Sequence, residues 1–166
     1  MQLLKTFSPK RAFLLVVGAC AGLLVFAYIL EFFVDLVPCP LCIVQRCFYL
    51  AIGVTALVAA FGWIRQLSVR LAGGIITALA LLGGGIAMRQ VWMQHFPQVT
   101  DPTRCGVSFG SFFDSVILAL GGAGNCGIVD WTFLTLSIAE WSALCFLGFA
   151  VAGLWFVWRG SQEPSL

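Results

Sequence analysis

The sequence predicts an all-α membrane protein folded as a bundle of four transmembrane helices. Three observations carry that reading. Hydrophobic residues make up 61% of the 166 positions and charged residues only 10%, a balance that fits a polytopic membrane protein and not a soluble domain. Charge is absent from four runs, 12–30, 47–64, 71–88 and 141–158, each close to the roughly 17–25 residues a helix needs to cross a hydrocarbon core. Basic residues are distributed unevenly. With the N-terminus inside, Lys5, Lys10, Arg11, Arg65, Arg70 and Arg159 are cytoplasmic, and only Arg46, Arg89 and Arg104 lie at or beyond the outer surface. That is the bias expected when short loops set orientation.

The elements follow in order. Residues 1–11 form a short basic inner tail. Span one covers about 12–33; it is too long for a signal-peptide core, and Glu31-Phe32-Phe33 stands where small cleavage-site residues would be needed. A tight outer loop, about 34–40, is broken by Pro38 and Pro40. Span two covers about 41–62 and accommodates Arg46 near the interface. A short inner loop carries Arg65 and Arg70, and span three covers about 71–90. A long outer loop covers about 91–138, span four about 139–158, and a polar tail ends the chain. One integral membrane domain therefore occupies 1–166, with both termini cytoplasmic. Trp63, Trp155 and Trp158 mark inner ends and Trp92, Trp131 and Trp141 outer ends. Gly18-Ala19-Cys20-Ala21-Gly22 and Gly83-Gly84-Gly85 read as sites of close helix approach.

The long outer loop carries Phe109, Phe112, Phe113, Val116, Ile117 and Leu120 at helical spacing, with Ser108, Ser111, Asp114 and Ser115 between them. Gly121-Gly122 ends the pattern. This is a short amphipathic helix, lying either on the outer leaflet or on the protein's own bundle. The net charge of +2 reflects membrane topology, and no nucleic-acid partner is expected; the bilayer is the chain's surroundings.

Seven cysteines concentrate the chemistry. Cys20 and Cys145 lie mid-membrane and read as small packing residues. Cys47, a turn below Cys42, reads the same way. Cys39, Cys42, Cys105 and Cys126 fall on the outer, oxidising side, where disulfides persist. Cys39-Pro40-Leu41-Cys42 closes a loop too short to constrain the unfolded chain much, so its value is redox rather than structural. With Pro40 opening span two, Cys42 sits in the first helical turn. The helix dipole and the permanent charge of Arg46, four residues on, both favour a thiolate there. A charge just inside a span is a functional candidate in its own right, although snorkelling to a lipid phosphate is the alternative for Arg46.

Cys105 and Cys126 close a loop of about twenty residues. A structural disulfide there would stabilise by roughly 3 kcal/mol, but beside a CxxC on the same face, exchange between the two pairs is favoured. A four-cysteine zinc site is the competing constellation, and the second pair lacks the knuckle spacing it uses. No metal is expected. A c-type haem would need histidine after the CxxC, where Ile43 stands. His95, the single histidine, is a candidate contact for a bound ring and equally an interfacial side chain; Arg89 has the same ambiguity.

Pro38-Cys39-Pro40-Leu41-Cys42-Ile43-Val44-Gln45-Arg46-Cys47 resembles the disulfide bond formation protein B (DsbB) family of bacterial quinone-linked thiol oxidases. So do the stretch from Asn125-Cys126 through Trp131-Thr132-Phe133-Leu134 and the following Ile138-Ala139-Glu140-Trp141. The resemblance covers nearly the whole chain. It implies that Cys39, Cys42, Cys105 and Cys126 are catalytic. It also implies a reduced periplasmic thioredoxin-fold carrier (DsbA-like) attacking a Cys105–Cys126 disulfide, with electrons passing to Cys39–Cys42 through a Cys39–Cys126 intermediate. A membrane quinone, ubiquinone or menaquinone, is the implied acceptor, contacted by Cys42 and Arg46, with His95 as counterpart of a family histidine near the end of span three. The implied location is the bacterial inner membrane, with the active cysteines facing the periplasm. Two readings stand beside this one: a paralogue oxidising a dedicated partner, and a non-catalytic four-span scaffold with structural disulfides.

Overall fold

The structure, a computed structural model, describes residues 8–35, 39–62, 68–96 and 131–162. Three of the four helices start at a residue whose side chain serves an orphan backbone N–H group, and Ser8, before the first helix, makes no such bond. Pro occupies the first helical position after Ser8 and after Cys39, where its missing N–H costs nothing. The Ser68 hydroxyl accepts from the Leu71 N–H. Ser137 and Glu140 form a reciprocal capping box. The resulting helices are α1 (Pro9–Phe33), α2 (Pro40–Phe61), α3 (Val69–His95) and α4 (Ile138–Gly160). All four are long and apolar enough to cross a membrane, so the expected four-helix membrane bundle is the observed one.

Two local features differ from the sequence reading. Helix α3 continues to His95, past the expected end of its span, because nothing before Phe96 breaks the helix. A two-residue antiparallel hairpin, β1 (Thr132–Phe133) with β2 (Leu136–Ser137), precedes α4 within the stretch read as loop. Its turn residues Leu134 and Thr135 have φ of 52° and 69°. That conformation ordinarily selects glycine or asparagine, so Leu-Thr carries no turn signature. Cys105, Cys126 and the expected amphipathic helix lie outside the described residues.

Chain direction alternates, so the end of α1, the start of α2, the end of α3 and the start of α4 share one end of the bundle. Phe13 of α1 stacks on Phe156 of α4 with ring centroids 3.9 Å apart, and Tyr49 of α2 stacks on Phe146 of α4 at 4.4 Å. Cys20 is buried in this core, as its packing role requires. Cys145 packs partly buried against it. Cys47, by contrast, is exposed on the outside of the bundle.

Close helix approach occurs, but not at the first GxxxG. Gly18 and Gly22 have no neighbouring helix within 4 Å of a Cβ placed there. The buried stripe of α1 runs through Phe13, Val16, Cys20 and Leu30, which turns both glycines outward. The tight seam is α3 against α4. A Cβ on Gly153 would lie 2.8 Å from both the Gly73 carbonyl oxygen and the Thr77 backbone nitrogen. Backbone cannot yield as a side-chain tip can. Gly153→Ala is therefore expected to cost about 2 kcal/mol, while Gly18→Ala costs nothing measurable. Unfolding of the two variants in detergent micelles checks this; equal stabilities would contradict the seam.

Candidate functional site

The cysteine motif sits at the mouth of α2 because Cys39 is its N-cap. The Cys39 sulfur accepts the Cys42 backbone N–H at 3.3 Å, which satisfies one of the four orphan donors at a helix start. Pro40 and Leu41 fill the first turn, and Cys42 follows. The Cys39 and Cys42 sulfurs are 2.7 Å apart, and the positive end of the helix dipole points at them. Leu41 and Met93 of α3 are both fully buried. With Cys39 and Ile86 they form a small apolar cluster separate from the main core. That cluster fixes the start of α2 against the end of α3, and so fixes where the sulfurs lie.

The partner that α3 presents is an amide. Gln90 Nε2 lies 3.5 Å from each sulfur, and its Oε1 is 3.9 Å from Cys42 Sγ. Gln90 Oε1 accepts a 2.8 Å bond from Gln45 Nε2. The Ser142 hydroxyl donates to Gln45 Oε1 at 2.5 Å. Tyr49 Oη lies 2.7 Å from Ser142 Oγ and donates to the Ser142 carbonyl at 3.2 Å. A polar chain thus runs from the cysteine pair inward through α3, α2 and α4. No buried side-chain nitrogen or oxygen among the described residues lacks a hydrogen-bond partner.

Arg46 leaves α2 in another direction. Its Nη1 donates to Glu31 Oε2 at 2.5 Å, its Nη2 approaches the Ala27 carbonyl at 3.4 Å, and its guanidinium lies 5.0 Å from the Tyr28 ring centroid. Four residues along a helix advance about 400°, so side chains at 42 and 46 diverge by about 40°. That is enough for Cys42 to meet α3 while Arg46 meets α1. The pair is partly shielded, with Arg46 19% and Glu31 28% exposed, and its near-neutral sum suits an apolar setting better than a lone charge does.

His95 ends α3, its Nδ1 3.1 Å from the Val91 carbonyl and its Nε2 3.7 Å from Glu140 Oε1, which places it at the α3–α4 junction. Gln94 meets the same junction, accepting from the Ser137 hydroxyl at 2.8 Å. Sequence reading missed Gln45 and Gln90 as site residues. The available signal was their polarity: both are amides in helices otherwise filled with apolar side chains, and both are buried. It also missed Glu31 as the partner of Arg46. Among the described residues, no three histidine, cysteine or acidic side chains converge as metal ligands would.

A family model described as disulfide bond formation protein DsbB matches residues 9–156. Disulfide bond formation protein B of Aromatoleum aromaticum is 42% identical over 159 residues, which span 92% of this chain and 95% of that protein. Its namesake in Azoarcus sp. (strain BH72) is 40% identical over 154 residues, 89% of this chain and 92% of that one. Disulfide bond formation protein B 1 of Pseudomonas aeruginosa is 40% identical over 153 residues, 87% and 93% of the two chains. Likeness that begins at α1, takes in the capped cysteine pair and ends within α4 leaves no segment of the bundle unaccounted for, and the chain belongs to the disulfide bond formation protein B (DsbB) family.

Proposed function

We propose that the protein reoxidises a periplasmic DsbA-like thioredoxin-fold carrier and passes the electrons to a membrane quinone, ubiquinone or menaquinone. The observation that carries the reading is the sulfur pair of Cys39 and Cys42, 2.7 Å apart at a helix start, in a protein with four membrane-length helices. The orientation proposed has both termini cytoplasmic and the cysteine end in the periplasm of a bacterial inner membrane. The basic residues support it, with six of the nine on the opposite side.

The proposed exchange uses four cysteines. A carrier thiolate bonds to Cys105 Sγ, the Cys105–Cys126 bond breaks, and Cys126 leaves as a thiolate. Cys126 then bonds to Cys39 Sγ, the Cys39–Cys42 bond breaks, and the charge rests on Cys42 Sγ. Each step exchanges one S–S bond for another, so it needs only an attacking thiolate and a leaving one. The second carrier thiol resolves the mixed disulfide at Cys105, and the Cys105 thiolate so released bonds to Cys126 Sγ as the Cys39–Cys126 bond breaks, which restores Cys105–Cys126 and leaves Cys39 and Cys42 reduced. Overall, two carrier thiols become a disulfide, and two electrons and two protons go to the acceptor.

The donor set suits a quinone head. Arg46 has five N–H groups, of which Glu31 and Ala27 engage two. Tyr28 flanks the guanidinium and packs against Phe32, both of them exposed toward the lipid side. Cys42 and Arg46 would hold the head between them. A quinone bound there supplies a lipid-soluble two-electron acceptor. Arg46 provides fixed positive charge near Cys42 and near any developing negative oxygen.

Purified protein mixed with reduced carrier and quinone is expected to bleach the quinone absorbance catalytically. Absence of turnover with both ubiquinone and menaquinone, from protein whose four outer cysteines resist mild reductant, would support the scaffold reading instead.

A further inference from the structure

Gln90 and Gln45 are buried amides in a membrane-length bundle, 6% and 5% exposed. Such groups are costly in an apolar interior unless their donors and acceptors are matched. Here the matching has a direction. Ser142 Oγ donates to Gln45 Oε1 at 2.5 Å, and Gln45 Nε2 donates to Gln90 Oε1 at 2.8 Å. Tyr49 anchors the inner end on Ser142. With its oxygen held by Gln45, Gln90 turns its NH2 group to the cysteines, 3.5 Å from each sulfur. The two sulfurs are not served equally. Cys39 also receives the Cys42 backbone N–H, whereas Gln90 is the amide donor that reaches Cys42 Sγ.

We propose that Gln90 is a catalytic residue of the redox pair, its amide N–H receiving the negative charge left on Cys42 when the Cys39–Cys42 disulfide opens, and that Gln45, Ser142 and Tyr49 are positioning residues that hold the amide in that orientation. The assignment rests on the thiol relay proposed above. In the step concerned, the attacking thiolate bonds to Cys39 Sγ, the Cys39–Cys42 bond breaks, and the bonding electron pair stays on Cys42 Sγ. No proton moves. A donor already aimed at the sulfur stabilises the leaving thiolate without reorganising, and a charge-assisted bond is stronger than the neutral one it replaces.

The test uses the full-length protein in detergent with no quinone added. The Cys39–Cys42 couple is equilibrated with glutathione buffers, and Cys42 in the reduced protein is alkylated with iodoacetamide at neutral pH and followed by peptide mass spectrometry. Gln90→Met keeps the volume and loses the N–H. It is expected to slow Cys42 alkylation about tenfold and to shift the glutathione equilibrium about tenfold toward the disulfide. Ser142→Ala and Tyr49→Phe touch neither sulfur and should shift both readings the same way by about threefold. A packing role for Gln90 would leave Gln90→Met unchanged on both readings, and that result overturns the proposal. Where Gln90→Met does not fold, unchanged readings in Ser142→Ala overturn it. Failure of the relay itself looks different: reduced carrier, which enters at Cys105, would then leave the wild-type Cys39–Cys42 pair oxidised.

Discussion

Cys42→Ser is expected to abolish quinone reduction, lowering turnover roughly a thousand-fold or more, as loss of a reacting atom does elsewhere. A serine oxygen cannot take part in a disulfide, and its alkoxide is a far poorer leaving group than a thiolate. The loss should come with a signature that mere unfolding would not produce. Cys39 remains at the N-cap, where it accepts a backbone N–H and is only partly buried. Its thiolate attacks Cys126 Sγ, the Cys105–Cys126 bond breaks with Cys105 leaving as a thiolate, and without Cys42 to displace Cys126 from Cys39 the Cys39–Cys126 disulfide should accumulate. Peptide mapping of the variant without reductant is expected to find a disulfide between Cys39 and Cys126 and a free thiol at Cys105. Cys39→Ser should be equally inactive and trap nothing at this site. Turnover persisting in Cys42→Ser would remove this pair from the reaction.

The bundle was legible because the constraint behind it is one-dimensional. A helix crossing a bilayer needs an uncharged run of set length, and four such runs are visible without knowing how they pack. The cysteine pair was legible for the same reason, since two sulfurs three residues apart at a helix start meet whatever surrounds them. What stayed hidden depends on rotation and pairing between helices. Gln45 and Gln90 are 45 residues apart, and it is the packing of α2 on α3, including Leu41 against Met93, that sets the register joining them. Gly83 is a true close approach, where a Cβ would clash with the Phe146 ring, but the first glycine motif misled for a related reason. Gly18 and Gly22 have the spacing of a contact motif, but the stripe that α1 buries passes beside them. The seam uses Gly73 and Gly153, which share no local pattern. Arg46 was read against Cys42, its neighbour in sequence, when the carboxylate that engages it comes from α1, fifteen residues earlier.

That carboxylate makes Arg46 testable in a way a lone charge would not be. Arg46→Met removes both the cation and the partner of Glu31, so it is expected to lower quinone reduction about a hundred-fold, equivalent to about 2.7 kcal/mol of barrier, and to destabilise the bundle by about 1–3 kcal/mol through the stranded carboxylate. The two losses separate with a second substitution. Glu31→Gln alone keeps the cation, and the amide oxygen still accepts from Nη1; activity should stay within about threefold of wild type. Glu31→Gln combined with Arg46→Met no longer strands a charge, so thermal stability in detergent should return while the hundred-fold loss of turnover remains. If the double variant regains activity together with stability, Arg46 serves the fold and its charge does not act in electron transfer. If turnover stays low in a bundle as stable as wild type, the guanidinium acts on the chemistry, and Glu31 is what lets a membrane helix carry that charge about 9 Å below its first residue.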